Sequence, residues 1–268
     1  MIGFNIKNGV LVALIGNEPH IVIPNDVTEI NTWALRDYPY LTSVKIPSSV
    51  TRISYALFYG CTSLTSIEIP NSVTSIGESA FMNCANLTHI EIPSSVTEIG
   101  NFAFSNCTSL TNIEIPNSVM SIGYRVFSGC TSLTNIKIPN SVTSIYRYAF
   151  ANLLKVKPQY NAEGKLRAFK AFNADWSCLG FKYAVGKSFH QDGIIRCCCN
   201  GFHACPNPLD VFNHYSGYLN KLRFAEVELS GKMDSENEKV AASDIRIVRE
   251  LTVSELAKIY NAMEKVYF

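Results

Sequence analysis

The chain has 268 residues, 47% of them hydrophobic, and a formal net charge of +1, which allows a substantial core in one or two domains. So even a balance of charge leaves no electrostatic footprint for nucleic acid or an anionic membrane surface, and neither is expected as a partner. The apolar run "VLVALI" (10 to 15) is too short to span a bilayer and lacks the basic flank and cleavage site of a signal peptide. With nine cysteines, a reducing cytoplasmic setting with free thiols is expected.

From Pro24 to Phe150 the sequence repeats every 23 residues without an insertion. Pro24, Pro47, Pro70, Pro93, Pro116 and Pro139 form one column; Ile30, Ile53, Ile76, Ile99, Ile122 and Ile145 another; Leu35, Phe58, Phe81, Phe104, Phe127 and Phe150 a third. A fixed period with several apolar columns predicts a solenoid whose coils bury their faces on each other. Within "LTSIEIPNSVTSIGESAFMNC" (64 to 84), "LTSIEIP" alternates as a short strand with Leu64, Ile67 and Ile69 inward. Proline ends that strand, Val73 and Ile76 return to the core, and "ESAFMNC" makes a tight turn that inserts Phe81. Stacked copies give a parallel sheet with strands about 4.8 Å apart.

These units resemble BspA-like leucine-rich repeats, over roughly residues 1–153. The segment "FNIKNGVLVALIGNEPHIVIP" (4 to 24) resembles the lead-in strands that cap such arrays, making residues 1–23 an N-terminal cap. The resemblance implies a mainly β solenoid and, for function, binding to another macromolecule.

The repeat accounts for four cysteines. Cys61, Cys84, Cys107 and Cys130 share a column with Tyr38 and Leu153, so they are expected as buried filler. The outward strand positions form the expected binding face: Lys45, Glu68, Glu91, Glu114 and Lys137 in one column, with His89, Asn112 and Asn135 in the next. Stacked glutamates repel mildly. They would suit a basic partner or serve only to keep a repeat protein soluble, and His89 reads as an exposed substitution.

After Phe150 the period stops. Residues 154–165, with Pro158 and Gly164, read as a linker to a small α+β domain over 166–268. Strands are expected at "RAFKAF" (167 to 172), "FKYAVGKSF" (181 to 189), "GIIRCCC" (193 to 199) and "RFAEVELSG" (223 to 231), with "HQDG" (190 to 193) as a hairpin turn. "NPLDVFNHY" (207 to 215) reads as a helix with Asn207 as cap and Pro208 first. "TVSELAKIYNAMEKVYF" (252 to 268) reads as a helix opened by a Thr252–Glu255 capping box, with Val253, Leu256, Ile259, Met263 and Val266 on one face. The blocks "CLGFKYAVGKSF" (178 to 189), "CNGFHACPNPLDVFNHY" (199 to 215) and "KVAASDIRI" (239 to 247) resemble an uncharacterised bacterial and phage domain attached to repeat arrays. That resemblance implies no activity.

The stretch "RCCCNGFHACPNP" (196 to 208) admits three kinds of role. Cys178, Cys199, His203 and Cys205 could ligate zinc, although their spacing matches no usual knuckle. On a strand, Cys197 and Cys199 would point together and Cys198 away. Cys205 or Cys199 could be a nucleophile with His203 or His214 as base. An ADP-ribosyltransferase-like site could instead use Tyr215 with Glu226 and Glu228. In the third reading, Gly201 turns the chain, Phe202 and Cys205 pack inward, and His203 makes a structural hydrogen bond. The expected function is a monomeric scaffold that binds an unknown protein partner and carries no cofactor. Its C-terminal domain would cap the array or serve as an accessory module; the alternative is a zinc-binding or ADP-ribosyltransferase-like enzyme targeted by the repeats.

Overall fold

A computed structural model describes residues 3–197, 199–215 and 217–266. The chain forms two compact units, Met1–Leu154 and Lys155–Phe268.

In the first unit each 23-residue coil has three sides. Ser66–Glu68 forms the first, and the chain then turns at Pro70–Val73, where the Val73 amide donates to the Pro70 carbonyl at 3.0 Å. Ser75–Ile76 forms the second side, and a run of turns through Phe81 forms the third. The expected parallel sheet is therefore joined by another. One ladder pairs His20–Val22, Ser43–Lys45 and Ser66–Glu68, then resumes with Asn112–Glu114 and Asn135–Lys137. The other runs unbroken through Arg52–Ile53, Ser75–Ile76, Glu98–Ile99, Ser121–Ile122 and Ser144–Ile145. The first ladder departs from expectation at His89–Glu91, which forms no strand. Ile90 and Ile92 stay buried there, but the amide contacts on either side, Thr88 to Thr65 and Thr111 to Thr88, lengthen to 3.3 and 3.4 Å.

The third side is also bonded between coils. Amides of Ala56, Phe58 and Gly60 donate to carbonyls of Glu78, Ala80 and Met82 in the next coil, while those of Leu57, Tyr59 and Cys61 close turns within their own coil. Such alternation requires left-handed backbone at two places per coil. One column holds Asp37, Gly60, Asn83, Asn106, Gly129 and Asn152, all with positive φ, and these residue types accept that conformation most readily. Inside, Phe58, Phe81, Phe104, Phe127 and Phe150 are fully buried and stack almost parallel with centroids 5.2 to 5.9 Å apart. Burying each contributes about 1.5–3 kcal/mol.

The opening residues cap the array. Gly3–Lys7 and Val10–Ile15 form an antiparallel hairpin, and Val10–Ile15 lies parallel to Glu29–Ile30. The turn is Asn8-Gly9, both with positive φ, the dipeptide that a two-residue hairpin favours.

The second unit is mostly strands. Gln159–Tyr160, Leu166–Asn173, Leu222–Glu236, Lys239–Leu251 and Ser188–His190 form an antiparallel sheet in that order, and Phe202–Ala204 also pairs with Lys239–Leu251. Residues 154–165 are not a linker here: Lys155–Val156 pairs with Lys265–Val266, and Gln159–Tyr160 is the edge strand. The expected strand over 181–189 is two short ones, Phe181–Lys182 and Ser188–His190, parted by a turn at Gly186. Residues 193–197 and 199 form no strand and "HQDG" no hairpin, because Arg196 accepts from the amides of Cys199 and Asn200 and closes a tight turn. Both helix starts form as expected: Asn207 accepts from the Leu209 amide ahead of Pro208–Asp210 and Val211–His214, and the Thr252–Glu255 box opens Val253–Ala262. The second helix buries Leu256, Ala257 and Tyr260 and ends before Met263, while Val266 belongs to a strand. Among the described residues no helix is long and apolar enough to cross a membrane.

Candidate functional site

On the strand face Lys45, Glu68, His89, Glu91, Asn112, Glu114, Asn135 and Lys137 are all exposed. The column is not uniformly acidic: Lys137 Nζ pairs with Glu114 at 2.7 Å, and Lys45 stands at the other end. An exposed pair of this kind contributes little to stability, so the face is polar and weakly charged.

A different surface lies on the turns, which the sequence reading did not single out. The adjacent positions Asn101, Tyr124, Arg147 and Phe102, Arg125, Tyr148 hold no carboxylate, although Glu78 stands one coil earlier in the first of these columns. Phe102 meets Tyr124 edge-on at 5.3 Å, and Tyr124 meets Tyr148 at 6.0 Å. Arg125 stands 5.3 Å from both the Tyr124 and Tyr148 ring centroids, and Arg147 lies 5.1 Å from Tyr148. A fixed left-handed backbone at Phe102, Arg125 and Tyr148 aims these side chains outward. No residue preference marks that column, so period counting alone passes over it.

The cysteine column is packing. Cys61, Cys84, Cys107 and Cys130 are fully buried, and each thiol donates to a carbonyl 26 residues earlier at 3.0 to 3.2 Å. Burial pushes the Cys61 and Cys130 thiols up to about 12.

In the second unit a cavity of about 190 Å³ opens beside the strand Phe202–Ala204. Lys170, His203, His214, Tyr215 and Lys239 are its polar lining, so both candidate base histidines lie here, with Phe169 and Val211 among the apolar groups. Lys170 is almost wholly buried, and its ammonium donates to the His203 carbonyl at 2.8 Å. Burial lowers its pKa, and burial followed by the neighbouring lysine charges lowers that of His203. Cys178 lies 3.6 Å from the Tyr215 hydroxyl. Cys205 pairs through its backbone with Phe169, and burial drives its thiol strongly upward, away from nucleophilic character.

The postulated zinc ligands do not converge. His203 and Cys205 line this cavity and Cys178 touches it through Tyr215, whereas Cys199 sits exposed on the tight turn. Among the described residues no three His, Cys, Asp or Glu side chains could hold a metal ion. Cys197 is buried and Cys199 exposed, so the two do not share a face; Cys198 lies outside the described residues. The packing elements of the third reading are present. Gly201 has φ of +111°, a Cβ there would meet the Ala242 carbonyl at 3.1 Å, and Phe202 and Cys205 are buried.

Glu226 and Glu228 do not face His203. Glu226 bonds Arg167 and Arg249, and Glu228 bonds Asn161 and Arg246, so both are fixed by cross-strand partners. Glu228 lines a separate cavity with His190, Asp244 and Arg246. Tyr215 follows the helix rather than lying within it.

Asp210, at the start of that helix, has a carboxyl pushed up to about 8 by burial, with Glu238 adding repulsion and Lys155 opposing it. Unfolded, the group ionises above about pH 4. The folded chain therefore binds more protons between pH 4 and 8, and Asp210's contribution to stability is lost as pH rises through that window. Asp210→Asn should raise the denaturation midpoint at pH 8 and bring no gain at pH 4. The same difference at both pH values would contradict this assignment.

The coils, two parallel ladders and stacked phenylalanines define a β-solenoid of leucine-rich repeats, followed by a mainly β unit. Residues 28–157 match the BspA type leucine rich repeat region in six copies, and residues 166–259 match a domain of unknown function, DUF7666. A leucine rich cell surface protein from Faecalibacterium prausnitzii is 37% identical with a TM-score of 0.52, over 60% of this chain and 47% of its own. A leucine-rich repeat protein from Bacteroides ovatus is 39% identical over 49% of this chain and 34% of its own, with a TM-score of 0.48. The T. pallidum leucine rich repeat protein is 34% identical over 48% and 63%, with a TM-score of 0.45. This chain thus spans less than two thirds of each of these proteins. No curated protein matches it.

Proposed function

We propose that the protein is a binding scaffold whose solenoid docks a protein partner, with the second unit as an accessory module. The observation that carries this is the Tyr124, Arg125, Arg147 and Tyr148 cluster on a rigid stack of coils. Tyrosine and arginine dominate binding hot spots, and side chains already held in edge-to-face and cation–π contacts lose little freedom on docking. Two guanidiniums whose nearest column carboxylate, Glu78, lies two coils before Arg125 favour a partner with an acidic patch. The reading places the protein in the cytoplasm as a monomer, in keeping with the reduced thiols that donate within the array.

The test compares wild type, Tyr124→Ala with Arg125→Ala, and Lys45→Glu with Lys137→Glu in quantitative capture of partners from extracts of the source cells. The first pair should weaken capture of an acidic protein by about tenfold or more, and rising salt should do the same. Loss with the lysine pair alone would move the interface to the strand face. No capture above background would overturn the scaffold reading.

A further inference from the structure

The strand Leu166–Asn173 places Leu166, Ala168, Lys170 and Phe172 on one side, and the other three belong to the hydrophobic core of the second unit. A lysine in such a row is rarely buried without an anion beside it. Lys170 nevertheless has a backbone carbonyl as its hydrogen-bond acceptor, and among the described residues no carboxylate pairs with it. Lys170 lines the open cavity with Tyr215, His203, His214 and Lys239. The cavity's roughly 190 Å³ equals about six water volumes, room for a molecule of a few carbon atoms.

We propose that this cavity is a reversible covalent site for small 2-oxo acids, which Lys170 captures as an imine while Lys239 and His203 face the carboxylate. The lowered proton affinity of Lys170, caused first by burial, favours the free amine that such chemistry needs. The amine nitrogen attacks the 2-oxo carbon, forming the C–N bond as the C=O π bond breaks, and the carbonyl oxygen takes up the proton that the nitrogen gives up. The resulting carbinolamine loses that oxygen as water with a second proton, leaving a protonated imine. Tyr215, whose hydroxyl is kept protonated by burial, lies at the cavity wall, where it can hydrogen-bond the departing oxygen while the second proton comes from solvent through the cavity mouth. No oxidant or further reactant is required, and hydrolysis reverses the capture.

Sodium borohydride with pyruvate or glyoxylate tests this in the full chain. Hydride addition converts the imine to a stable secondary amine, located by peptide mass mapping. The expected result is near-stoichiometric label on Lys170 and trace label on exposed lysines such as Lys45 and Lys137, with loss of the Lys170 label in Lys170→Met. Acetone, which lacks the carboxylate, should label Lys170 far less. Label spread over exposed lysines with Lys170 unmodified would overturn the proposal, and equal labelling by acetone would overturn its oxo-acid specificity. The mapping on wild type decides the first point even if Lys170→Met fails to fold, and neither result depends on the partner proposed for the solenoid.

Discussion

Phe104→Ala should destabilise the array by about 3–5 kcal/mol, the usual cost of emptying a buried phenylalanine site. Phe104 sits mid-column with Phe81 and Phe127 stacked on either side at 5.3 and 5.6 Å, so removing one ring strips contacts from two coils. Collapse is restrained because interstrand and turn hydrogen bonds fix the coil spacing on all three sides. Chemical denaturation of the full chain, followed in the array by a probe such as Trp33, measures the effect. A loss below about 1 kcal/mol would mean that the coils close over the gap and that their spacing is not rigid.

Gly100→Ala should be the most damaging change that adds a single methyl group. A Cβ at Gly100 would lie 2.5 Å from the Glu78 nitrogen and 2.8 Å from the Gly77 carbonyl carbon, both backbone atoms of the preceding coil. The same column holds Asn31, Ser54 and Tyr146, so the conformation itself accepts a side chain. The obstacle is the close approach of adjacent coils, and overpacking of this kind costs about 1–3 kcal/mol. Gly123→Ala should be milder, because its nearest clash is with the Asn101 side chain, which can move. Melting temperatures of the two variants test the order; a Gly123→Ala that melts below Gly100→Ala would show that coil-to-coil backbone distance is not the limiting contact.

Much of the solenoid is legible in the sequence because each column is a physical contact repeated at one spacing. Leu64, Ile67, Ile69, Val73, Ile76 and Phe81 announce their burial by recurrence alone. The thiol hydrogen bonds are less visible: a column of Tyr, Cys and Leu reads as apolar filler, while the donor role of Cys61 or Cys107 depends on a carbonyl 26 residues earlier. The Asp37 to Asn152 column, made only of Asp, Gly and Asn, did carry a left-handed signal. The second unit offers no recurrence, so local patterns had to suffice. They located Asn207 and Thr252, whose capping is local, and misread residues 193–197 and 199, where a turn at Arg196 overrides strand-forming composition. Lys170 gave no sign of its position, because "RAFKAF" looks like ordinary alternation until both faces of the strand prove buried.

The side-chain bonds between coils also constrain how the array can change in length. Thr65, Thr88, Thr111 and Thr134 each donate to the threonine carbonyl one period earlier, and Ser72, Ser95 and Ser118 donate 22 residues back to Val50, Val73 and Val96. Each donor meets the same kind of acceptor in every coil. Excising or duplicating a whole 23-residue unit reconnects all of them, whereas adding or deleting a single residue throws threonine, serine, cysteine and phenylalanine columns out of register together. Coil number is therefore a quantised variable, and a lineage of such chains can explore longer or shorter arrays by recombination between equivalent positions without passing through a misfolded intermediate length.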